Sequence, residues 1–225
     1  MGTMTRSGSE ASAKWIGEGS GAHYESARFS SERARARDIR CVNALLDDLQ
    51  GPQSAARLLD VPCGSGRLTR DMSTRAALYV GVDISPSMLG AARAACGDAG
   101  PRATLALADG LALPFASQCF DVVVACRWLH HLHDEETLGR AIAELVRVSR
   151  GVVIASFWDE RSLPGWRRSL GLKRAEGPAG RSAKSRAQVA SLFERAGADV
   201  LSWRATMRFF SQQTFVAARV RGVRA

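Results

Sequence analysis

The sequence lacks the features that mark exported, disulfide-bonded or membrane-spanning chains. Its five cysteines include no C-x-x-C pair, and their irregular spacing argues against a disulfide framework or a zinc ribbon. Residues 1–20 contain no apolar core of signal-peptide length, and no stretch reaches the roughly 18 apolar residues that a membrane-spanning helix needs. We therefore expect a cytoplasmic protein that is not exported by that route and does not span a membrane.

Aromatic residues are also scarce, at 7% of the chain, and acidic residues are outnumbered by basic ones. The 225 residues include 31 lysines and arginines against 22 aspartates and glutamates, a formal net charge of +9. With 46% hydrophobic and 24% charged residues, the composition is that of a globular protein, and the length suits one domain. The positive balance favours an anionic partner or substrate, but charge alone does not distinguish phosphate, carboxylate, nucleic acid and an acidic protein.

Hydrophobic periodicity divides the chain into a leader, a helix and an α/β region. Residues 1–22 are rich in Ser, Gly and Ala, which indicates a flexible leader. Apolar residues recur at helical spacing over residues 31–50, which predicts an amphipathic helix outside the main sheet, and Gly51 and Pro52 end it. We expect residues 23–225 to form a single domain that this helix covers.

Short apolar runs alternate with helical segments through the rest of the chain. Such alternation is typical of an α/β fold in which helices cover both faces of a parallel sheet. Residues 158–183 lack periodicity and contain Pro164 and Pro178, which indicates a long loop or lid. Ser185 and Gln188 then have capping-box spacing ahead of another helix. The seven predicted strands lie near residues 57–61, 77–82, 103–108, 120–125, 151–157, 199–205 and 213–219.

The most informative segment follows the first predicted strand, where Asp60 precedes a turn that contains Gly64 and Gly66. Glycines there let the backbone approach a ligand before the next helix begins. A dinucleotide site of the G-x-G-x-x-G type would need a third glycine where Thr69 stands, and it needs no acid at Asp60. The segment instead resembles motif I, D-x-G-x-G-x-G, of class I S-adenosylmethionine (SAM) dependent methyltransferases. Pro62 replaces the first glycine, but its fixed φ suits extended chain, so the turn is expected to survive.

Two further aspartates stand at the ends of the next predicted strands. Asp83 follows the second strand, where an acid can accept hydrogen bonds from both ribose hydroxyls. A cap for the helix that begins near Ser85 and Pro86 is an alternative role for it. Asp109 follows the third strand in a segment that resembles the family's A-D-x-x-x-L-P-F sequence, although Asp109-Gly110 alone would be an ordinary turn.

The resemblance covers roughly residues 55–157 and is strongest to the small-molecule branch, such as the quinone-biosynthesis methyltransferases. It implies a Rossmann-like, doubly wound, mostly parallel seven-stranded sheet with an antiparallel last strand. It also implies SAM as cofactor and S-adenosylhomocysteine (SAH) as product, with Asp60 at the methionine amino group, Asp83 at the ribose and Asp109 at the adenine. The full set of cofactor residues implied by position is Asp60, Cys63, Gly64, Gly66, Asp83, Ile84, Asp109, Gly110 and Cys126.

Four residues are expected to face the substrate. Tyr24 and Arg28 fall in a stretch similar to the family's Y-D-x-x-F cover and would close over SAM, although ordinary helix packing explains them as well. Arg127 and Trp158 follow the fourth and fifth predicted strands, at the carboxyl edge of the sheet, where α/β proteins bind ligands.

The candidate catalytic residues are His130 and His131, which also follow the fourth strand. Methyl transfer is an in-line displacement at a sulfonium carbon, so the protein must position the nucleophile and, for a hydroxyl, remove its proton. An imidazole with a pKa of about 6.5 suits that task, and His130 aligns with a histidine that resembles the base of small-molecule O-methyltransferases. Loop packing is an alternative role. No metal is expected, because nothing completes a tetrahedral site with His130 and His133.

These observations favour an enzyme that methylates a small acceptor, anionic or partly apolar, at oxygen rather than at nitrogen or carbon. The basic segment 158–186 supports an anionic acceptor, although a solvated loop explains it as well. A nucleic-acid methyltransferase is a second hypothesis, but the chain lacks the N/D-P-P-Y/F clamp that stacks on a flipped base. A SAM-binding module without catalysis is a third. The sequence carries no signal for the oligomeric state.

Overall fold

A computed structural model of the protein describes residues 32–50, 55–96, 103–162, 182–207 and 212–222. The predicted leader, 1–22, lies outside these ranges, as do Tyr24, Arg28 and most of the predicted lid.

The described strands form one mixed sheet. They are β1 (Ala55–Asp60), β2 (Ala76–Asp83), β3 (Ala103–Leu107), β4 (Phe120–Ala125), β5 (Ser149–Asp159), β6 (Ala183–Lys184), β7 (Ala198–Ala205) and β8 (Gln213–Val220). Their order is β3-β2-β1-β4-β5-β8-β7, and the two-residue β6 pairs with β5 off this path. Strands β1 to β5 are parallel, whereas β8 is antiparallel to both β5 and β7. The predicted doubly wound, mostly parallel sheet with an antiparallel last strand is confirmed; β6 is an addition that the sequence did not indicate.

Two of the helices begin after a side chain that satisfies one of their first amide groups. Asp134 accepts a hydrogen bond from the Thr137 amide (2.6 Å), and Ser185 accepts one from the Gln188 amide (3.0 Å). The Gln188 side chain does not complete a reciprocal capping box but donates to Glu135 at 3.3 Å. The described helices are α1 (Glu32–Gln50), α2 (Thr69–Thr74), α3 (Pro86–Cys96), α4 (Glu135–Val148) and α5 (Arg186–Arg195). None of them is long and apolar enough to cross a membrane.

Two apolar clusters cover opposite faces of the sheet. Leu58 and Leu59, adjacent on β1, enter different clusters because successive strand side chains point to opposite faces. One cluster contains the buried sides of α4 and α5, including Leu138 and Phe193. The other contains the buried sides of α1 and α2, including Val42. The helix that the sequence predicted outside the sheet therefore packs on one of its faces.

We predict that Leu138→Ala lowers the free energy of unfolding by about 3 kcal/mol and the melting temperature by roughly 6–12 °C. Leu138 is 0% exposed in the α4 cluster, so truncation leaves a cavity. Leu201→Ala is the matched control, because Leu201 is 47% exposed and should change the stability by less than about 0.5 kcal/mol. Thermal denaturation of both variants tests the packing, and equal losses would contradict it.

Candidate functional site

The carboxyl ends of the parallel strands bring the predicted cofactor residues to one edge of the sheet. Asp60, the last residue of β1, pairs in register with Gly81 on β2 and Val124 on β4. Asp83 ends β2 opposite Leu107, the last residue of β3. The Gly64 amide after β1 donates to Asp83 Oδ2 at 2.9 Å, which joins the first turn to the second strand.

The glycine turn after β1 follows a path that requires glycine. Gly64 and Gly66 have φ values of +55° and +82°, in the left-handed region that other residues rarely adopt. A Cβ at Gly66 would also approach Ala92 Cα on α3 to 3.1 Å. The Val61–Pro62 peptide bond is cis, and beyond it the Gly66 amide donates to the Cys63 carbonyl at 3.1 Å. The turn thus survives the replacement of the first motif glycine by proline, as predicted.

Asp83 is a buried acceptor whose two oxygens each hold one backbone amide. Besides Gly64 at Oδ2, the Ser85 amide donates to Oδ1 at 2.9 Å. Burial raises the pKa of Asp83, while these backbone hydrogen bonds act in the opposite direction. Ser85 takes the helix-capping role, because its Oγ accepts from the Met88 amide at 3.4 Å. Each Asp83 oxygen has a second acceptor site, so the carboxylate can still receive two ligand hydroxyls.

Asp60 is 1% exposed, and its carboxyl has the most strongly perturbed pKa of the site. Burial raises its pKa from 3.8 to about 7, although the hydrogen bond from Tyr79 opposes the shift. Tyr79 donates to Oδ2 at 2.8 Å, whereas Oδ1 is buried with no hydrogen-bond partner among the described residues. Because the pKa is higher in the folded chain, ionisation of Asp60 opposes folding as the pH rises from about 4 to about 7. A cation bound beside Oδ1 would remove that cost.

The segment after β3 forms a turn against an aromatic ring. Asp109 Oδ1 accepts from the Leu111 amide at 2.9 Å, so the ordinary turn expected of Asp109-Gly110 is present. A Cβ at Gly110 would stand 2.7 Å from Cη2 of Trp128, so only glycine lets this ring pack so closely. Ile84, assigned to the adenine face by resemblance, is half-buried. Trp128 is a neighbour of this part of the site that the sequence reasoning did not include.

The residues after β4 are held from two sides. Arg127 has a φ of +60°, uncommon for a residue with a side chain. Its amide donates to Ser156 Oγ on β5 at 2.7 Å, and its Nε donates to Asp38 on α1 at 2.7 Å. Burial raises the pKa of the Cys126 thiol well above its ordinary value, so the thiol stays protonated and is not a nucleophile. Cys126 can contribute its backbone to a ligand, as the resemblance implied.

Asp38 joins α1 to this site, and the sequence reasoning missed it. The side chain is 0% exposed and lies 2.7 Å from Arg127 Nε and 3.5 Å from a terminal nitrogen of Arg67, which follows the glycine turn. Arg35 adds a third link by donating to the Arg67 carbonyl at 2.8 Å. The signal was available, because Asp38 stands four residues before Val42 and therefore on the apolar stripe of the helix. Arg127, predicted to bind substrate, is thus an ion-pair partner of α1.

The two candidate catalytic histidines lie in a 3₁₀ turn, Leu129–His131, directly after this segment. The His130 ring is stacked on the Trp158 ring, with 5.0 Å between the ring centroids and 12° between the ring planes. The centroid of the His131 ring lies 4.3 Å from that of His130. His130 is 1% exposed. The structure thus brings His130, His131 and Trp158 together, and the His130 ring is packed inside the fold. Among the described residues, no group of three or more His, Cys, Asp or Glu could hold a metal ion.

Strand β6 holds the histidine turn against the end of β5. The Ser182 amide donates to the His130 carbonyl at 2.9 Å, and Lys184 Nζ donates to the His133 carbonyl at 3.3 Å. Arg186, just beyond β6, pairs with the buried Asp159 at 2.7 Å. Two cations of the predicted basic segment are therefore used inside the fold.

Comparison with known proteins supports the resemblance to methyltransferases. Residues 58–151, which include Asp60, Asp83, Asp109 and both histidines, match the methyltransferase domain family. This part of the chain is similar to methyltransferase domains. The resemblance predicted from the motifs is confirmed.

Two curated relatives are similar to about half of this chain. A ubiquinone biosynthesis O-methyltransferase of Aeromonas salmonicida (strain A449) is 34% identical over 114 residues, which cover 49% of this chain and 47% of that protein. The demethylmenaquinone methyltransferase of Thermobifida fusca (strain YX) is 33% identical over 128 residues, 53% of each protein. The chain spans about half the length of these relatives.

A solved structure shows the same fold as this methyltransferase domain and the elements around it. It is a magnesium protoporphyrin IX methyltransferase from Synechocystis PCC 6803 with bound SAM. The TM-score is 0.70 at 17% identity, and the superposition covers 98% of this chain and 100% of that one.

We predict that Asp38→Asn lowers the free energy of unfolding by about 2 kcal/mol, because it removes the charge that pairs with two partly buried arginines. Those arginine side chains are 25% and 22% exposed, so the loss should fall below that of a fully buried pair. Asp48→Asn on the same helix is the control, since the Asp48–Arg204 pair is largely exposed and should contribute less than about 1 kcal/mol. Chemical denaturation of both variants measures the difference; similar losses would show that Asp38 does not hold α1 to the site.

Proposed function

We propose that the protein is a SAM-dependent methyltransferase that acts on a small molecule, with oxygen as the methylated atom. The observation that carries the proposal is the buried carboxylate of Asp60, whose Oδ1 has no hydrogen-bond partner among the described residues. None of the ion pairs found in those residues includes Asp60. A buried anion in this state needs a cationic donor, and the methionine ammonium of SAM is one.

The residues around Asp60 fit the rest of the cofactor. Gly64 and Gly66 let the backbone approach the methionine portion, and the open acceptor sites of Asp83 fit the two ribose hydroxyls. Asp109 and Ile84 lie where the adenine would extend, after β3 and β2. When bound, SAM supplies a methyl group on a sulfonium, which a nucleophile displaces. The methyltransferase domain match and the neighbour solved with SAM support this choice of cofactor.

We assign removal of the acceptor proton to the His130–His131 pair. A hydroxyl is a weak nucleophile until its proton is taken, and imidazole is the side chain best suited to do so near neutral pH. Both rings follow β4 at the carboxyl edge, and Trp158 fixes one of them by stacking. The pair can also position the acceptor beside the cofactor, which accounts for much of the rate in a displacement of this kind.

A partly apolar, hydroxylated ring is the acceptor that the observations favour. The names of the two relatives, a ubiquinone biosynthesis O-methyltransferase and a demethylmenaquinone methyltransferase, support it. Trp158 and Trp128 supply aromatic surface near the edge of the sheet. The hypothesis that the acceptor is anionic rests on the basic residues of segment 158–186. Five of them lie outside the described residues: Arg167, Arg168, Lys173, Arg174 and Arg181. A cytoplasmic location stays our expectation from the cysteine pattern.

The net charge of +9 favours one competing function, methylation of nucleic acid. Ten arginines of the described residues are, however, paired with carboxylates, which weakens the positive field that would attract phosphates. Retention on immobilised RNA that falls steeply with salt would support this alternative over a small acceptor.

The cofactor half of the proposal predicts that SAM and SAH both bind the purified protein. Asp83→Asn should weaken binding roughly tenfold or more, because hydrogen bonds from the ribose to a charged acceptor are lost. Asp199→Asn on β7 is the control, since Asp199 is exposed and pairs only with Arg221 in the described structure. Isothermal titration calorimetry measures the affinity of the unchanged protein and of both variants for SAM and SAH. Absence of binding to the unchanged protein, or equal affinity in both variants, would contradict the assignment.

The catalytic half predicts that His130→Ala or His131→Ala lowers kcat by about a hundredfold or more while SAM affinity stays within about twofold. A panel of phenolic, carboxylic and phosphorylated acceptors, together with RNA, is screened first with the unchanged protein, and SAH formation is measured. His133→Ala is the control, because His133 is exposed and uses only its carbonyl in the contacts described. If SAM binds but both variants keep full turnover, the histidines are not the base. If SAM binds and none of the acceptors, RNA included, is methylated, a SAM-binding module is the better account.

A further inference from the structure

Asp60 is linked to a buried chain of hydroxyl groups that its role as a cofactor ligand does not by itself require. Tyr79 donates to Asp60 Oδ2 at 2.8 Å, and Thr69 Oγ1 lies 2.8 Å from the Tyr79 hydroxyl. Tyr79 and Thr69 are both 0% exposed. These hydrogen bonds connect the first residue of α2, a residue in the middle of β2 and the last residue of β1.

The direction of these hydrogen bonds follows from the chemistry of an ionised Asp60. A carboxylate has no proton to give, so the Tyr79 hydroxyl must donate to it. The Tyr79 oxygen can then accept from the Thr69 hydroxyl. Burial raises the pKa of Tyr79 well above its ordinary value, and the nearby Asp60 adds to the effect, so the phenol keeps its proton.

The sheet makes room for this contact at Gly81. Tyr79 pairs in register with Leu58 on β1, and Gly81 pairs with Asp60. The Tyr79 ring therefore extends along the strands by two residues, past Gly81, to reach Asp60. A Cβ at Gly81 would stand 3.1 Å from the Tyr79 hydroxyl and 2.7 Å from Leu105 Cδ2. A larger residue would therefore crowd the path by which Tyr79 reaches the carboxylate.

We infer that Tyr79, supported by Thr69, is a positioning residue that holds Asp60 in its ionised form and turns Oδ1 towards the cofactor's ammonium group. With Oδ2 occupied by the phenol, Oδ1 is the oxygen of Asp60 that lacks a partner among the described residues. The inference rests on the proposed function, because it concerns how the SAM site is prepared.

The charge state of Asp60 decides how much this positioning matters. A neutral acid binds an ammonium far more weakly than a carboxylate does, and the pKa of Asp60 is raised to about 7. Asp83 on β2 raises that pKa further by its charge. The other titratable groups that interact with Asp60 are the thiols of Cys63 and Cys126, which burial keeps protonated. Among the described residues, the phenol of Tyr79 is thus the group that opposes protonation of Asp60.

The test measures SAH affinity of the unchanged protein and Tyr79→Phe between pH 6 and pH 9 by calorimetry. The variant should bind about fivefold to tenfold more weakly at pH 7, because loss of the donated hydrogen bond raises the pKa of Asp60 by about one unit. The ratio of the two affinities should approach one at pH 9, where Asp60 is ionised in both proteins. Titration of the ligand's own amino group cancels in that ratio.

Three further variants separate positioning from a general loss of structure. Thr69→Val should shift the pH profile in the same direction by a smaller amount, and Thr69→Ser should restore it because the hydroxyl returns. Phe193→Leu removes buried volume on α5, away from the chain of hydroxyls, and should lower the melting temperature without a pH-dependent change in affinity. If Tyr79→Phe does not fold, the two Thr69 variants still decide the matter.

The outcomes distinguish this inference from the function on which it rests. If the unchanged protein does not bind SAH at any pH, the proposed function itself is wrong. If it binds and Tyr79→Phe matches it at every pH, or loses the same factor at every pH, Tyr79 does not position Asp60. A deficit that closes as the pH rises supports the inference.

Discussion

Parallel strands that end at a common edge deliver their last side chains to one place, and in this protein the adjacent strands β1 and β2 both end in aspartate. Asp60 and Asp83 end adjacent strands, and Asp109 follows the next strand by two residues. Burial makes ionisation of Asp60 unfavourable, so the edge depends on donors: a phenol from within the sheet, backbone amides from the glycine turn and, in our account, a cationic ligand from outside. The remaining features of the site supply or hold those donors.

The helix before the sheet belongs to the same arrangement. Asp38 reaches from α1 to Arg127 and Arg67, which flank the turns after β4 and β1. The Arg127 backbone is held in the left-handed region while Ser156 accepts from its amide. A shift of α1 would therefore move both turns at once. This coupling gives α1 a part in shaping the site as well as in covering one face of the sheet.

Local patterns predicted much of the fold, and contacts between distant residues supplied what they missed. Each of the seven predicted strands lies within two residues of the observed ends, because apolar runs, glycine turns and the Ser185 cap are properties of neighbouring residues. The hydrogen bond from Tyr79 to Asp60 joins residues 19 positions apart in the sequence and depends on the register of two strands. The ion pair between Asp38 and Arg127 joins residues 89 positions apart. Periodicity places Asp38 on the apolar stripe of α1, but it does not identify the partner residue in either pairing. Strand β6 is two residues long, too short for one.

The most direct measurement is a crystal structure of the protein grown with SAH. The account predicts ligand density along the carboxyl edge, with the amino group within hydrogen-bond distance of Asp60 Oδ1 and the ribose hydroxyls on Asp83. Tyr79 should remain on Oδ2. Density that places the ligand elsewhere, or an amino group bound without contact to Asp60, would contradict the claim that this buried carboxylate forms the cofactor site.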